Sequence, residues 1–193
     1  GYSNVAIKGG RLYTMGCIGS KNVVWCLNAE TGEKIWQYSF DSGYDPQSTP
    51  TIEGDFIYTL SAAGILLCLN AQNGELRWTK ELVPEYDAVK PYYGFAGSPV
   101  VEGSLLILNV NTAGMALQKE TGDIVWTSDK PPKEMTFGLT KGTDYMSPVV
   151  YSCEGKRYAL VSSWKGISSV DVQTGKPLWV YSWECYTGNI VPV

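Results

Sequence analysis

The chain has 193 residues, 15 Lys and Arg against 19 Asp and Glu, a formal net charge of −4, and no histidine. A domain of about 150 residues already buries roughly 68–70% of its unfolded surface, so this length supports a real core. The missing imidazole excludes Ser-His-Asp and Cys-His nucleophile pairs and zinc sites that need histidine. The mild acidity argues against nucleic acid and anionic membrane as partners.

With 21 Gly and 10 Pro, the composition is that of a turn-rich, all-β chain. The apolar runs Ile65–Leu69 and Leu105–Leu108 fall far short of the ~18 residues that cross a bilayer, so no membrane span is expected. Cys17, Cys26, Cys68, Cys153 and Cys185 form no CxxC pair and fit no metal-ligand spacing, so they read as small hydrophobes buried in strands. The chain starts at Gly1 with no charged-then-apolar leader, which reads as a mature or excised piece.

In chain order, SNVAIKGG (3–10) reads as the opening strand of a first unit that closes with LNAETGEKIW (27–36). The second unit opens with STPTIEG (48–54) and carries LNAQNGELRW (69–78). The third opens with GSPVVEG (97–103) and carries LQKETGDIVW (117–126); the fourth opens with MSPVVYS (146–152) and carries VDVQTGKPLW (170–179). Gly32, Gly74, Gly122 and Gly175 recur at intervals of 42, 48 and 53, and Trp36, Trp78, Trp126 and Trp179 keep the same intervals. Pro50, Pro99 and Pro148 recur at 49 and 49, with Val5 in the matching place of the first unit. Two independent anchors at nearly one period define a repeat protein.

Each unit reads as four short strands. In the second they are Pro50–Glu53, Phe56–Ser61, Ile65–Asn70 and Leu76–Glu81. The last turn has a physical basis: Asn28, Asn70 or Asp171 can bond the backbone two residues on, and the glycine then takes a positive φ. Four-stranded units of 40–50 residues are the mark of β-propeller blades. The expected blades are approximately 1–44, 45–88, 89–142 and 143–188, with NIVPV (189–193) starting a further one.

The A-x-D/N-x-x-T-G-x-x-x-W-like turns, each after an apolar strand, resemble the tryptophan-docking repeats of quinoprotein-type, PQQ-like propellers, and the likeness extends over the whole chain. That group includes quinone-dependent alcohol dehydrogenases and cofactor-free members such as the outer-membrane assembly lipoprotein of bacteria. The resemblance is greatest to secreted bacterial PQQ-like repeat proteins without assigned activity. It implies a periplasmic or secreted protein, and a ring of about eight blades of which this chain holds four. An open half-ring leaves two apolar faces, so the remainder of the propeller or a second copy is expected to close it. A closed four-bladed ring is the competing reading.

The repeated Gly and Trp positions, and Tyr13 and Tyr58, read as structural, because a ligand site would break the repeat symmetry rather than obey it. Function is sought where the repeats differ: Asp41–Gln47, Pro84–Ala96, Asp129–Tyr145 and Glu184–Asn189. There the candidate binding residues are Tyr44, Asp45, Lys90, Tyr92, Tyr93, Tyr145 and Tyr186, joined by Trp164 and Lys165 in a turn of the fourth unit. The expected function is a non-catalytic scaffold that binds a protein, peptide or glycan through this variable inter-blade face, with no catalytic residue, metal or cofactor of its own. The alternative is a part of a PQQ-dependent dehydrogenase whose catalytic residues, with PQQ and calcium, lie outside this chain.

Overall fold

A computed structural model describes residues 2–130, 145–163 and 166–182. Within them the chain is almost wholly β. The first sheet is β1 (Ala6–Lys8), β2 (Arg11–Ile18), β3 (Lys21–Asn28) and β4 (Lys34–Asp41). The second is β5 (Thr51–Glu53), β6 (Phe56–Leu60), β7 (Ile65–Asn70) and β8 (Leu76–Glu81), followed by the short helix α1 (Leu82–Tyr86). The third is β9 (Val100–Glu102), β10 (Leu105–Leu108), β11 (Met115–Gln118) and β12 (Ile124–Thr127). The fourth is β13 (Val149–Cys153), β14 (Lys156–Ser163), β15 (Gly166–Asp171) and β16 (Pro177–Ser182). Each sheet is antiparallel and keeps its strands in sequence order.

The four sheets share one register. The row Ala6–Tyr13–Cys26–Trp36 of the first recurs as Thr51–Tyr58–Cys68–Trp78, Val100–Ile107–Ala116–Trp126 and Val149–Leu160–Ser169–Trp179. A bulge follows each row, between Cys26 and Leu27, Cys68 and Leu69, Ala116 and Leu117, and Ser169 and Val170. The hairpin turns form as their sequence dictates. Asn28, Asn70 and Asp171 accept from the N–H two residues on at 2.8, 2.8 and 3.0 Å. The glycines take φ of +74°, +74°, +77° and +69°. The third turn has Gln118 instead of Asn or Asp and is closed by the Gly122 N–H on the Gln118 carbonyl at 2.7 Å.

The core lies between the sheets rather than within them. Tyr13, Met15, Val24, Cys26 and Trp36 of the first blade pack on Ile57, Leu67 and Leu69 of the second, and comparable clusters join the second to the third and the third to the fourth. A repeated polar clasp fixes each joint. Trp36 Nε1 donates to the Ala71 carbonyl at 3.1 Å, Trp78 Nε1 to Lys119 at 3.1 Å, and Trp126 Nε1 to Val172 at 2.8 Å. Each indole lies flat against the turn glycine of the next blade. A Cβ built on Gly74 would sit 2.6 Å from the Trp36 ring, and one on Gly175 2.5 Å from the Trp126 ring, so only glycine fits there.

A second clasp runs near the propeller axis. Two residues before β5, β9 and β13, ahead of the proline, a hydroxyl meets the preceding blade. Thr49 Oγ1 accepts from the Asn4 N–H at 3.3 Å, Ser98 Oγ from the Thr49 N–H at 2.8 Å, and Ser147 Oγ from the Ser98 N–H at 2.9 Å. Farther out, Arg157 grips Glu102 of the third blade through two bonds of 2.7 and 2.9 Å.

Among the described residues the arc is four blades long and not closed. β1, β5, β9 and β13 touch in succession, with no comparable packing of β13 on β1. Trp36 and Trp126 are 8% exposed, packed between blades, whereas Trp179 of the fourth blade is 43% exposed. Its surroundings differ because no described blade follows the fourth. The cysteine expectation also divides: Cys26 and Cys68 are buried, whereas Cys17 and Cys153 are exposed. Those two lie near the ends of β2 and β13, beyond the inter-blade clusters. Cys185 and the expected opening strand at 189–193 lie outside the described residues.

Candidate binding face

In a four-stranded meander, the turn between the second and third strands and the connection to the next blade fall at one end of the sheet. The hairpin turns with the repeated glycines fall at the other. The strand order therefore gathers the described parts of the variable segments on one face: the connections 42–50 and 82–99, residues 128–130 and 145–148 of the third, and the turns at 19–20, 61–64 and 109–114. Backbone bonds tie connection to turn. The Leu82 and Phe95 N–H groups donate to the Gly64 and Ala62 carbonyls at 2.9 and 3.0 Å, and Thr112 N–H donates to the Asp129 carbonyl at 3.0 Å. The long second connection is thus a folded cap rather than a free loop. Leu82, Ala88 and Phe95 anchor it in the core, and Tyr86 donates its hydroxyl to the Gly122 carbonyl at 2.7 Å.

On this platform the structure brings the sequence-predicted residues into two contacts that bridge connections. Lys90 Nζ of the second connection donates to the Tyr44 hydroxyl of the first at 2.8 Å and stands 4.0 Å from the centre of its ring. That ammonium lowers the Tyr44 hydroxyl pKa, chiefly through the hydrogen bond. Tyr93 packs 4.9 Å from Tyr92, edge to face, and 6.1 Å from Tyr145 of the third connection. The Tyr93 N–H donates to the Tyr145 hydroxyl at 3.3 Å. The rings remain available: Tyr44 is 48%, Tyr92 65% and Tyr93 66% exposed. Asp45 sits beside them and accepts from the Cys17 thiol at 3.1 Å, a bond that raises the thiol pKa. Trp164, Lys165 and Tyr186 lie outside the described residues.

Sequence reasoning missed the residues that support this surface. Gln47 Nε2 donates to the Tyr93 carbonyl at 2.6 Å and links the first two connections. Asn22, 1% exposed, donates through Nδ2 to the Tyr44 carbonyl at 2.7 Å and leaves its Oδ1 without a protein partner. One signal was available: Asn22 is a polar residue inside the apolar strand KNVVWC, at the position where the second unit has Gly64. Lys130 adds an ion pair with Asp87 at the rim.

Among its described residues the face offers aromatic surface, the Lys90 and Lys130 ammonium groups, carboxylates and amides, which suits recognition by stacking and hydrogen bonding. Among the described residues no three His, Cys, Asp or Glu side chains come together to hold a metal. Two of the three arginines serve inter-blade contacts, Arg11 on the Ala71 and Gln72 carbonyls and Arg157 on Glu102, and Arg77 lies over the Phe56 ring.

Fold and face together define a PQQ-type propeller segment, and the comparisons agree. The chain belongs to the family described as outer membrane protein assembly factor BamB, which matches residues 3–189. No curated protein matches it. BamB from Moraxella catarrhalis is similar in structure, with a TM-score of 0.64 and 19% identity over 92% of this chain and 47% of that one. The quinohemoprotein alcohol dehydrogenase ADHIIG from Pseudomonas putida HK5 has a TM-score of 0.67 and 20% identity over 96% of this chain and 34% of its own. That from Comamonas testosteroni has a TM-score of 0.65 and 20% identity, over 95% and 35%. The chain thus spans about half, or a third, of the length of these solved structures.

Proposed function

We propose that this chain is part of a non-catalytic propeller scaffold that binds a protein or peptide, or a glycan, through the face formed by its inter-blade connections. The observation that carries the reading is a pair of contacts that bridge the connections, Tyr44 with Lys90 and Tyr92 and Tyr93 with Tyr145, in which Tyr44, Tyr92 and Tyr93 are exposed and Lys90 and Tyr145 half-buried. Rigid tyrosines lose little entropy on binding and supply large contact area. The family description, an assembly factor for outer membrane proteins, favours a protein or peptide partner over a glycan and supports a periplasmic or secreted location. Completion of the ring, by further blades or a second copy, belongs to the same reading.

The test is capture on arrays of unstructured peptides and of oligosaccharides, comparing the chain with a Tyr92→Ala/Tyr93→Ala variant. Selective capture of one class, lost in the variant, is the expected result. Capture that is absent, or equal for both proteins, overturns the reading.

The second reading, part of a quinone-dependent dehydrogenase, is supported by the shared fold with the two alcohol dehydrogenases. It requires PQQ and calcium to be held by residues outside this chain. Saturable, calcium-dependent PQQ binding by the 193-residue chain alone would contradict that division.

A further inference from the structure

The face formed by the connections is charged unevenly. Its described residues carry six exposed carboxylates, Asp41, Asp45, Glu81, Glu85, Asp87 and Asp129, against three lysines, Lys21, Lys90 and Lys130. Two of those lysines are already engaged, Lys90 with Tyr44 and Lys130 with Asp87. Residues 131–144 add two Lys, one Asp and one Glu, and so no net charge. The aromatic groups point the same way. The Lys90 ammonium stands 4.0 Å from the centre of the Tyr44 ring and donates to its hydroxyl, so the face already seats one cation on a tyrosine. Tyr92 and Tyr93 present two further exposed rings in the connection that carries Asp87. Asn22, 1% exposed, is tied to the Tyr44 carbonyl and keeps an acceptor, Oδ1, without a protein partner.

We infer that the occupant of this face is a cationic peptide segment of a partner protein, recognised through its arginines. Surplus carboxylates, exposed ring faces and an unpaired amide oxygen all complement a group that is positive and rich in N–H donors. Arginine fits better than lysine, because a guanidinium lies flat on an aromatic ring and forks onto a carboxylate. The inference rests on the reading of this face as a binding surface, and narrows it from protein, peptide or glycan to one charge class. Attraction between exposed charges is screened by salt, so the binding should weaken as ionic strength rises.

Fluorescence anisotropy on the 193-residue chain tests it, with labelled dodecapeptides that alternate serine with arginine, glutamine or glutamate as probes. The arginine peptide is expected to bind at least about fivefold more tightly than the other two, the worth of one good exposed ion pair. Asp45→Asn/Asp87→Asn should weaken it by a similar factor. Asn keeps an acceptor for the Cys17 thiol and tolerates the φ of +52° at residue 87, so this variant retains the fold. Glu30→Gln/Glu33→Gln makes the same change of charge at the opposite end of the first sheet and should bind as the wild type does. Equal binding of the three peptides, a preference for glutamate, or equal losses in both charge variants overturns the inference, the last because overall acidity would then suffice. Tyr92→Ala/Tyr93→Ala separates this inference from the reading beneath it. A glutamine or glutamate peptide held by the wild type and lost in that variant means that the face binds but the charge class is wrong. An arginine peptide held equally by both means that the face itself is misassigned. If the wild type holds none of the three, the inference falls and the oligosaccharide array decides the face.

Discussion

A single glycine per blade decides whether two blades can meet. Gly54 and Gly175 both have positive φ, +56° and +69°, so replacing either by alanine incurs the same left-handed backbone strain of about 1–2 kcal/mol. They differ in surroundings: a Cβ on Gly54 meets nothing within 4 Å, whereas one on Gly175 lies 2.5 Å from the Trp126 ring. Gly175→Ala is therefore expected to lose about 1–3 kcal/mol more than Gly54→Ala in urea unfolding, as overpacking does. Equal losses would mean that the indole does not rest there. Cys68 supplies a second residue-scale test. Burial pushes its thiol from 9.0 up to about 12, with Tyr58, Arg77 and Glu120 as the other groups acting on it. The unfolded chain ionises the thiol first, so its contribution is intact below pH 9 and fades as pH rises towards 12. The urea midpoint should fall between pH 8 and pH 10, and fall less steeply in Cys68→Ala; a flat wild-type profile would contradict the burial.

At the level of the element, the hairpins and the repeat were legible because they rest on local chemistry. The Asx turn at Asn70, the positive φ at Gly74 and the strands Ile65–Asn70 and Leu76–Glu81 follow from side-chain reach and period two. The clasp near the axis was not legible. Thr49, Ser98 and Ser147 each directly precede a proline, but nothing local says that a hydroxyl accepts an N–H from a residue 45 or 49 positions away. The site was half legible. Tyr92 and Tyr93 stood out as departures from the repeat, while Tyr86 and Phe95 of the same segment turned inward, a matter of packing that composition does not encode. Ser98→Ala strips the acceptor from the partly buried Thr49 N–H and is expected to lose about 1–3 kcal/mol. A loss within about 0.5 kcal/mol, the size of an ordinary surface change, would remove the clasp from the account.

For the whole molecule, the contacts that hold the blades together lie apart from the face proposed to bind a partner. The blades are held by indoles, glycines and hydroxyls between sheets, and the connecting segments are free to present tyrosines. Tyr92→Ala and Tyr93→Ala should each change unfolding free energy by no more than about 0.5 kcal/mol, since both rings are about two-thirds exposed. Larger losses would show that the rings serve the fold. Residue-resolved amide exchange on the intact chain tests the central arrangement most directly. Thr49, Ser98 and Phe95 lie in connections, where exchange is ordinarily fast, yet their N–H groups donate to Ser98, Ser147 and Ala62. The joined blades and the folded cap predict strand-like protection at these three amides. Exchange at them as fast as in a free loop would contradict both.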